Sequence, residues 1–288
     1  MTVHVFAQKR CSKYQKYDIM EKTERRASFA NRTKLLKTKE RHGIKMKLYT
    51  LGTSHGATEI GRACSANLLA VGTHYYLFDC GGNTEGKMTD LGLPIERIRA
   101  VFVTHMHEDH AGTLSAIAKR FCHYHKYADP VSMFLPEEKG ISAFKAWLSA
   151  LHMVINDRVI FRPVTAGRIY EDENITVIAI ETEHIQNGMF PSFAFLIEGE
   201  SKKMLYTGDL AYDLHDYPKI LMEEDFDAVL CELVHFNVET HLETIAKTRT
   251  KKMIFTHLAP RNIPRIRAAE GRLPFPIEIA EDSASFAV

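Results

Sequence analysis

From Met46 onward the hydrophobic positions fall into short β-rich runs broken by Gly, Asn and Asp. KLYTLG (47–52), SANLLAV (65–71) and HYYLFDC (74–80) predict three successive strands. RAVFVTH (99–105) reads as a buried strand, and HAGTLSAIAKRF (110–121) as the helix that follows it. A strand at VSMFL (131–135) and a helix at EEKGISAFKAWLSALHM (137–153) come next. Further strands are predicted at RVIFRPV, ITVIAIE, SFAFLIE, KMLYTG, DAVLCEL (227–233) and KKMIFTH (251–257), with a helix at VETHLETIAKT (238–248). The C-terminal FPIEIAEDSASFAV forms a candidate closing strand. Strands outnumber helices, and the helices sit between groups of strands, which points to two sheets covered by helices.

Composition changes this picture only at the N-terminus. Residues 1–45 carry 13 Lys and Arg against 4 Asp and Glu, a surplus of +9. The remainder is then at −8 within a total of +1. The stretch KTERRASFANRTKLLKTKERHGIK is polar without a sustained apolar period. Residues 1–45 are therefore expected to be a disordered or frayed helical leader, or an overcalled start with Met46 as the true beginning. Residues 46–288 are expected to form one catalytic domain. A basic arm can attach to nucleic acid, whereas a body at −8 is wrong for a large RNA-binding face. No apolar stretch reaches the roughly 18–20 residues that span a bilayer, and the N-terminus lacks a signal-peptide core. Five cysteines, Cys11, Cys64, Cys80, Cys122 and Cys231, are odd in number and far apart, with no CxxC pair. That argues for a reducing setting, so a cytoplasmic location is expected.

The chemistry concentrates in FVTHMHEDHAG (102–112), where three histidines and two acids occupy six positions behind an apolar run. In an extended segment residues two apart point the same way, so His105 and His107 can hold one ion together. Asp109 and His110 sit one step further on and can aim at a second. Imidazole and carboxylate suit zinc, with manganese or iron as competitors. A pair of metals needs more ligands, and three candidates each follow a predicted buried strand: His184, Asp209 in LYTGDL and His257 in MIFTHLAP.

The ordered set THMHEDH, a later lone His, TGD and TH, preceded by LFDCG, resembles the metallo-β-lactamase superfamily. That resemblance covers roughly residues 46–288. It implies an α/β fold, the αββα four-layer sandwich, with a two-metal site at one edge of the paired sheets. By position it implies His105, His107 and His184 on one metal, Asp109, His110 and His257 on the second, and Asp209 bridging them. Asp79 would support the site from behind. A hydroxide between two divalent ions, zinc foremost, would be the nucleophile, with Asp109 orienting it or accepting its proton. Asp rather than Glu at position 109 points toward hydrolysis instead of diiron redox chemistry.

The opening LGTSHGATEIGRACSANLLAVGTHYYLFDCGGNTEGKMTDLGL is similar to the ribonuclease Z branch and its phosphodiesterase relatives. His235 precedes His257 by 22 positions, as the His of the branch's His-Ser-Thr motif precedes its last metal histidine, and this implies a general-acid role for His235. The chain departs from the branch where HST becomes HFN (235–237) and where DCGEGTQ becomes DCGGNTEG. With 24 residues between His184 and Asp209, no tRNA-gripping arm fits. The expected substrate is thus a small phosphodiester, such as a cyclic nucleotide or short oligonucleotide. The alternatives are a lactone, thioester or other acyl ester, or a metal-loaded binding module without catalysis. Homodimerisation is common in the resembled family and is implied on that ground alone.

Overall fold

The computed structural model describes residues 46–125, 128–186 and 188–288; the basic segment 1–45 lies outside the described residues. Two seven-stranded sheets form the centre. The first contains β1 (Met46–Gly52), β2 (Ala66–Val71), β3 (His74–Phe78), β4 (Ile98–Phe102), β5 (Val131–Leu135) and β6 (Val159–Pro163). The second contains β7 (Gly167–Glu171), β8 (Thr176–Thr182), β9 (Ser192–Gly199), β10 (Lys202–Tyr206), β11 (Ala228–Glu232), β12 (Met253–Thr256) and β13 (Ile277–Ile279). The last strand, β14 (Ala284–Ala287), returns to the first sheet and pairs antiparallel with β1. Strand orders are β14-β1-β2-β3-β4-β5-β6 and β13-β12-β11-β10-β9-β8-β7. Each sheet is antiparallel on one side and parallel on the other, the parallel halves being β3 to β6 and β10 to β13.

Alternation along the strands builds three cores. On β4, Ala100 and Phe102 face the other sheet while Val101 faces the helices. Between the sheets Phe102 stacks on Phe78 and on Phe134, each at 5.0 Å between centroids, with Phe195 of the second sheet tilted against them. Outside the first sheet, Val101 and Met133 pack against Ile117, Phe121, Phe144 and Leu148. Outside the second, Leu205, Val229 and Phe255 pack against Leu221, Ile245 and Ile266. Helix, sheet, sheet, helix is the four-layer order.

Among the described residues seven α-helices complete the layers: α1 (Thr84–Asp90), α2 (Glu108–Ala111), α3 (Leu114–Lys119), α4 (Glu138–Ala150), α5 (Ile220–Glu223), α6 (Leu242–Ile245) and α7 (Ile263–Ala269). The helix expected over 110–121 is broken because the Thr113 hydroxyl donates to the carbonyls of Cys80 and Gly82, tying that residue to the turn after β3. The helix expected over 238–248 shrinks to α6, since the Asn237 side chain accepts from Glu239 N (3.0 Å) and starts a turn instead. The expected closing strand splits into β13 and β14, one in each sheet. Among the described residues no helix is long and apolar enough to cross a membrane.

Candidate metal centre

Most of the ligand-type residues singled out in the sequence lie just past the end of a strand. His105 follows β4, His184 follows β8, Asp209 follows β10, His235 follows β11 and His257 follows β12. Asp109 and His110 belong to α2, whose backbone is pressed against the turn after β3. Cys80 N donates to His110 O (2.7 Å), and a Cβ on Gly81 would fall 1.6 Å from Asp109 O. Only glycine tolerates that approach. Gly208 meets the same demand at the turn into Asp209. Its φ is +58°, and a Cβ there would lie 2.8 Å from Phe193 O.

Asp209 is the centre of the arrangement. Its carboxylate is 2% exposed. Its Oδ2 lies 3.6 Å from His105 Nε2 and His184 Nε2 on one side, and 3.3 Å from His110 Nε2 and His257 Nε2 on the other. His105 Nε2 and His107 Nδ1 are 2.9 Å apart, as the two-residue spacing requires. Asp109 Oδ2 lies 3.5 Å from His110 Nε2 and 3.7 Å from His257 Nε2. Among the described residues four triads have ligand atoms within 4.8 Å of one another: His105, His107 and His184; Asp109, His110 and His257; His105, His110 and Asp209; and His184, Asp209 and His235.

Among the described residues, His110 Nε2, His184 Nε2, Asp209 Oδ1 and both ring nitrogens of His257 are buried without a hydrogen-bond partner. Buried polar atoms are normally satisfied, and a cluster of orphaned imidazole nitrogens around a carboxylate is what a cation would satisfy. The donor set therefore fits divalent metal ions. Within the protein's own groups the same side chains act strongly on one another. Burial pushes His110 down, but the Asp209 and Asp79 carboxylates outweigh it and hold its pKa well above the usual range. Burial and the neighbouring His110 push His105 well below it. Burial raises Asp209, yet His110 and His257 overcome this and hold it well below the ordinary carboxylate value.

Behind the cluster stands Asp79, fully buried, accepting from His110 Nδ1 (2.7 Å), Tyr206 OH (2.7 Å) and Thr104 N (2.8 Å). This is the supporting position expected of it. His235 joins the cluster, with Nδ1 3.7 Å from Asp209 Oδ2 and its ring 4.4 Å from that of His184. Sequence reasoning missed its partner Glu232, the buried last residue of β11. Oε1 of Glu232 accepts from His235 Nδ1 (3.0 Å) and Leu210 N (3.0 Å), and Oε2 from Val234 N (2.7 Å) and His235 N (3.2 Å). Burial lowers His235, but the bond to Glu232 prevails and raises its pKa to about 9. An acid closing an otherwise apolar strand, DAVLCEL, was the available signal.

The segment between His184 and Asp209 is taken up by a short loop, β9, a two-residue turn and β10, so no arm leaves the domain there. Beside that loop opens a groove of ≈ 910 Å³ lined by Glu183, Phe190, His215, Tyr217 and Lys219 among others. It flanks the cluster and does not contain it.

The chain has the metallo-β-lactamase fold, with a His/Asp cluster able to hold metal ions at one edge of the paired sheets. The Bacillus subtilis metallo-β-lactamase fold protein YhfI superposes with a TM-score of 0.68 at 19% identity, over 84% of this chain and 99% of that one. The chain belongs to the family described as anti-Pycsar protein Apyc1, whose profile matches residues 46–276. Curated relatives include ribonucleases Z. That of Gloeothece citriformis is 30% identical over 156 residues, 53% of this chain but less than half (46%) of the relative's length. That of Mycobacterium sp. (strain KMS) is 24% identical over 269 residues, 81% of this chain and 92% of the relative.

Proposed function

We propose that the protein is a dinuclear-metal phosphodiesterase acting on a small phosphodiester, such as a cyclic nucleotide or a short oligonucleotide. His105, His107 and His184 would hold one ion, Asp109, His110 and His257 the second, and Asp209 both. The observation that carries the reading is the Asp209 carboxylate at 3.3–3.6 Å from the Nε2 atoms of His105, His110, His184 and His257, the last three of which lack a hydrogen-bond partner among the described residues. Divalent ions there, zinc foremost for so imidazole-rich a set, would supply Lewis acidity toward a phosphoryl oxygen and a lowered pKa for water. The protein's own groups do the rest. A carboxylate oxygen of Asp109 takes the proton of the attacking water. His235 gives a proton to the departing oxygen from Nε2, since Nδ1 is committed to Glu232. Protonated His235 is thus poised beside Asp209 rather than buried away from substrate, its side chain being 32% exposed.

A poised proton donor favours phosphodiesters with alkoxide leaving groups over activated acyl esters, and kinship with proteins named ribonuclease Z supports the same choice. The short connection between His184 and Asp209 supports a small substrate over folded tRNA. A panel of 3′,5′-cyclic nucleotides, dinucleotides, lactones and thioesters tests the reading with zinc- or manganese-loaded protein. Metal-dependent cleavage of phosphodiesters alone is expected. Turnover of lactones or thioesters alone would establish the acyl-hydrolase reading instead, and a loaded protein inert on the whole panel would leave a binding module.

A further inference from the structure

His257 differs from the other histidines of the cluster in how it is held. His110 is fixed through Nδ1 by Asp79 (2.7 Å), His105 through Nδ1 by Thr104 (3.0 Å), and His184 through Nδ1 by Leu210 O (3.3 Å). Among the described residues His257 Nδ1 has no hydrogen-bond partner, and its Nε2 faces the Asp209 carboxylate at 3.3 Å. Its backbone is in the left-handed region, φ +49°, which is strained for a residue with a Cβ and persists only where the surroundings enforce it. The aim of this imidazole is therefore set by main-chain packing around residues 256–258.

That packing leads to the C-terminal crossover. Leu258 N donates to Thr53 O (3.1 Å), so the segment after β1 braces the residue following His257. Thr53 in turn is held by Asp282, in the turn that carries the chain from β13 in one sheet to β14 in the other. Asp282 Oδ1 accepts from Thr53 N (3.0 Å) and Thr53 Oγ1 (2.8 Å), and Oδ2 accepts from Ala63 N (2.8 Å). Lys87 Nζ lies 3.0 Å from the same Oδ2, and the Asp282 side chain is 4% exposed. Arg62 closes the network, donating to Thr53 Oγ1 (2.6 Å) and Ala280 O (2.9 Å). The braced loop runs past the site itself, since a Cβ on Gly56 would lie 3.9 Å from Asp109 Oδ2.

We propose that Asp282 is a positioning residue for the second ion site, acting through Thr53 and Leu258 to keep His257 aimed at Asp109 and Asp209. The inference rests on the two-ion reading above. Groups that orient a ligand without touching the ion typically alter metal affinity 10–100-fold. Loss of Asp282 is accordingly expected to weaken one ion and spare the other, which the separate supports of His105 and His184 hold.

The test is a cobalt(II) titration of the chelator-stripped full chain, read by visible absorption, with thermal melts alongside. Wild type, Asp282→Asn and Asp282→Ala are compared with Asp172→Asn, a networked carboxylate at the opposite end of β8. Wild type is expected to take up two equivalents. The Asp282 variants should bind the first as wild type does, with the second weakened at least tenfold and its absorption bands altered. Asp172→Asn should lower the melting temperature and leave both ions unchanged. Thr53→Val, which keeps the amide donor and loses the hydroxyl, should show an intermediate loss and reads the same chain of contacts if Asp282→Ala does not fold. Equal weakening of both ions, or wild-type affinity for both in folded Asp282→Asn, would overturn the proposal. A wild-type protein that binds fewer than two ions would overturn the two-ion reading and this inference with it.

Discussion

Replacing Glu232 by Gln isolates the proton donor, because it changes one oxygen to an amide and leaves every proposed metal ligand in place. The Glu232 carboxylate is fully buried and accepts four N–H groups, two on each oxygen. Gln keeps one acceptor and turns an NH2 toward the two donors at the other. Each buried donor left unpaired costs roughly 1–3 kcal/mol, so about 3 kcal/mol is expected after some relaxation. For a domain of this size that lowers Tm by about 6–12 °C. His235 loses the acceptor that orients it, and a general acid contributes typically ~10²–10⁴ in rate. The assay compares two leaving groups. A nucleoside alkoxide needs a proton to depart, so kcat/KM on such a phosphodiester should fall by about 10²-fold or more. p-Nitrophenolate leaves without one, and bis(p-nitrophenyl) phosphate should lose less than about tenfold. His235→Ala should give the same split. Equal losses on both substrates, with metal content intact, would refute the general-acid assignment.

Three further outcomes follow from the packing. Phe102→Ala removes the ring at the centre of the inter-sheet aromatic stack and should cost about 3–5 kcal/mol, read by chemical denaturation; a loss under 1 kcal/mol would contradict that placement. Burial pushes the Asp172 carboxyl up, but bonds from Tyr76, the Ile175 and Asn174 amides and Tyr170 outweigh it and hold it below its ordinary 3.8. Its stabilising contribution is therefore complete above about pH 4 and lost as pH falls through the depressed folded value, so the Tm gap between wild type and Asp172→Asn should close at low pH, and a gap constant with pH would count against it. Gly208→Ala places a Cβ against Phe193 O and Thr104 and should displace Asp209, seen as metal content below that of wild type at equal fold by circular dichroism.

The strands were legible because their apolar runs are bounded by turn residues and buried on both faces, as at VFVTH and MIFTH. The metal-type residues were legible for a related reason: each follows such a run, and strand ends on one edge of a sandwich converge. What escaped was decided by tertiary contact. Thr113 interrupts a helix whose local pattern is continuous, because its hydroxyl reaches the turn after β3. The segment TEGKMTD became α1 with only Thr84 and Met88 buried, too few apolar positions to show a period. The strand break at Asp282 carries no local mark, since the amides it accepts from, those of Thr53 and Ala63, lie more than two hundred residues away. Glu232 was hidden in plain apolar surroundings for the same reason, its role depending on a loop that folds back over it.

The measurement that bears most directly on the central claim is bis(p-nitrophenyl) phosphate hydrolysis by chelator-stripped protein as zinc or manganese is returned in measured equivalents. Activity should be absent without metal, rise until two ions are bound per chain, and vanish in His107→Ala. Full activity before any metal is returned, or two bound ions per chain with no phosphodiester turnover, would contradict the account.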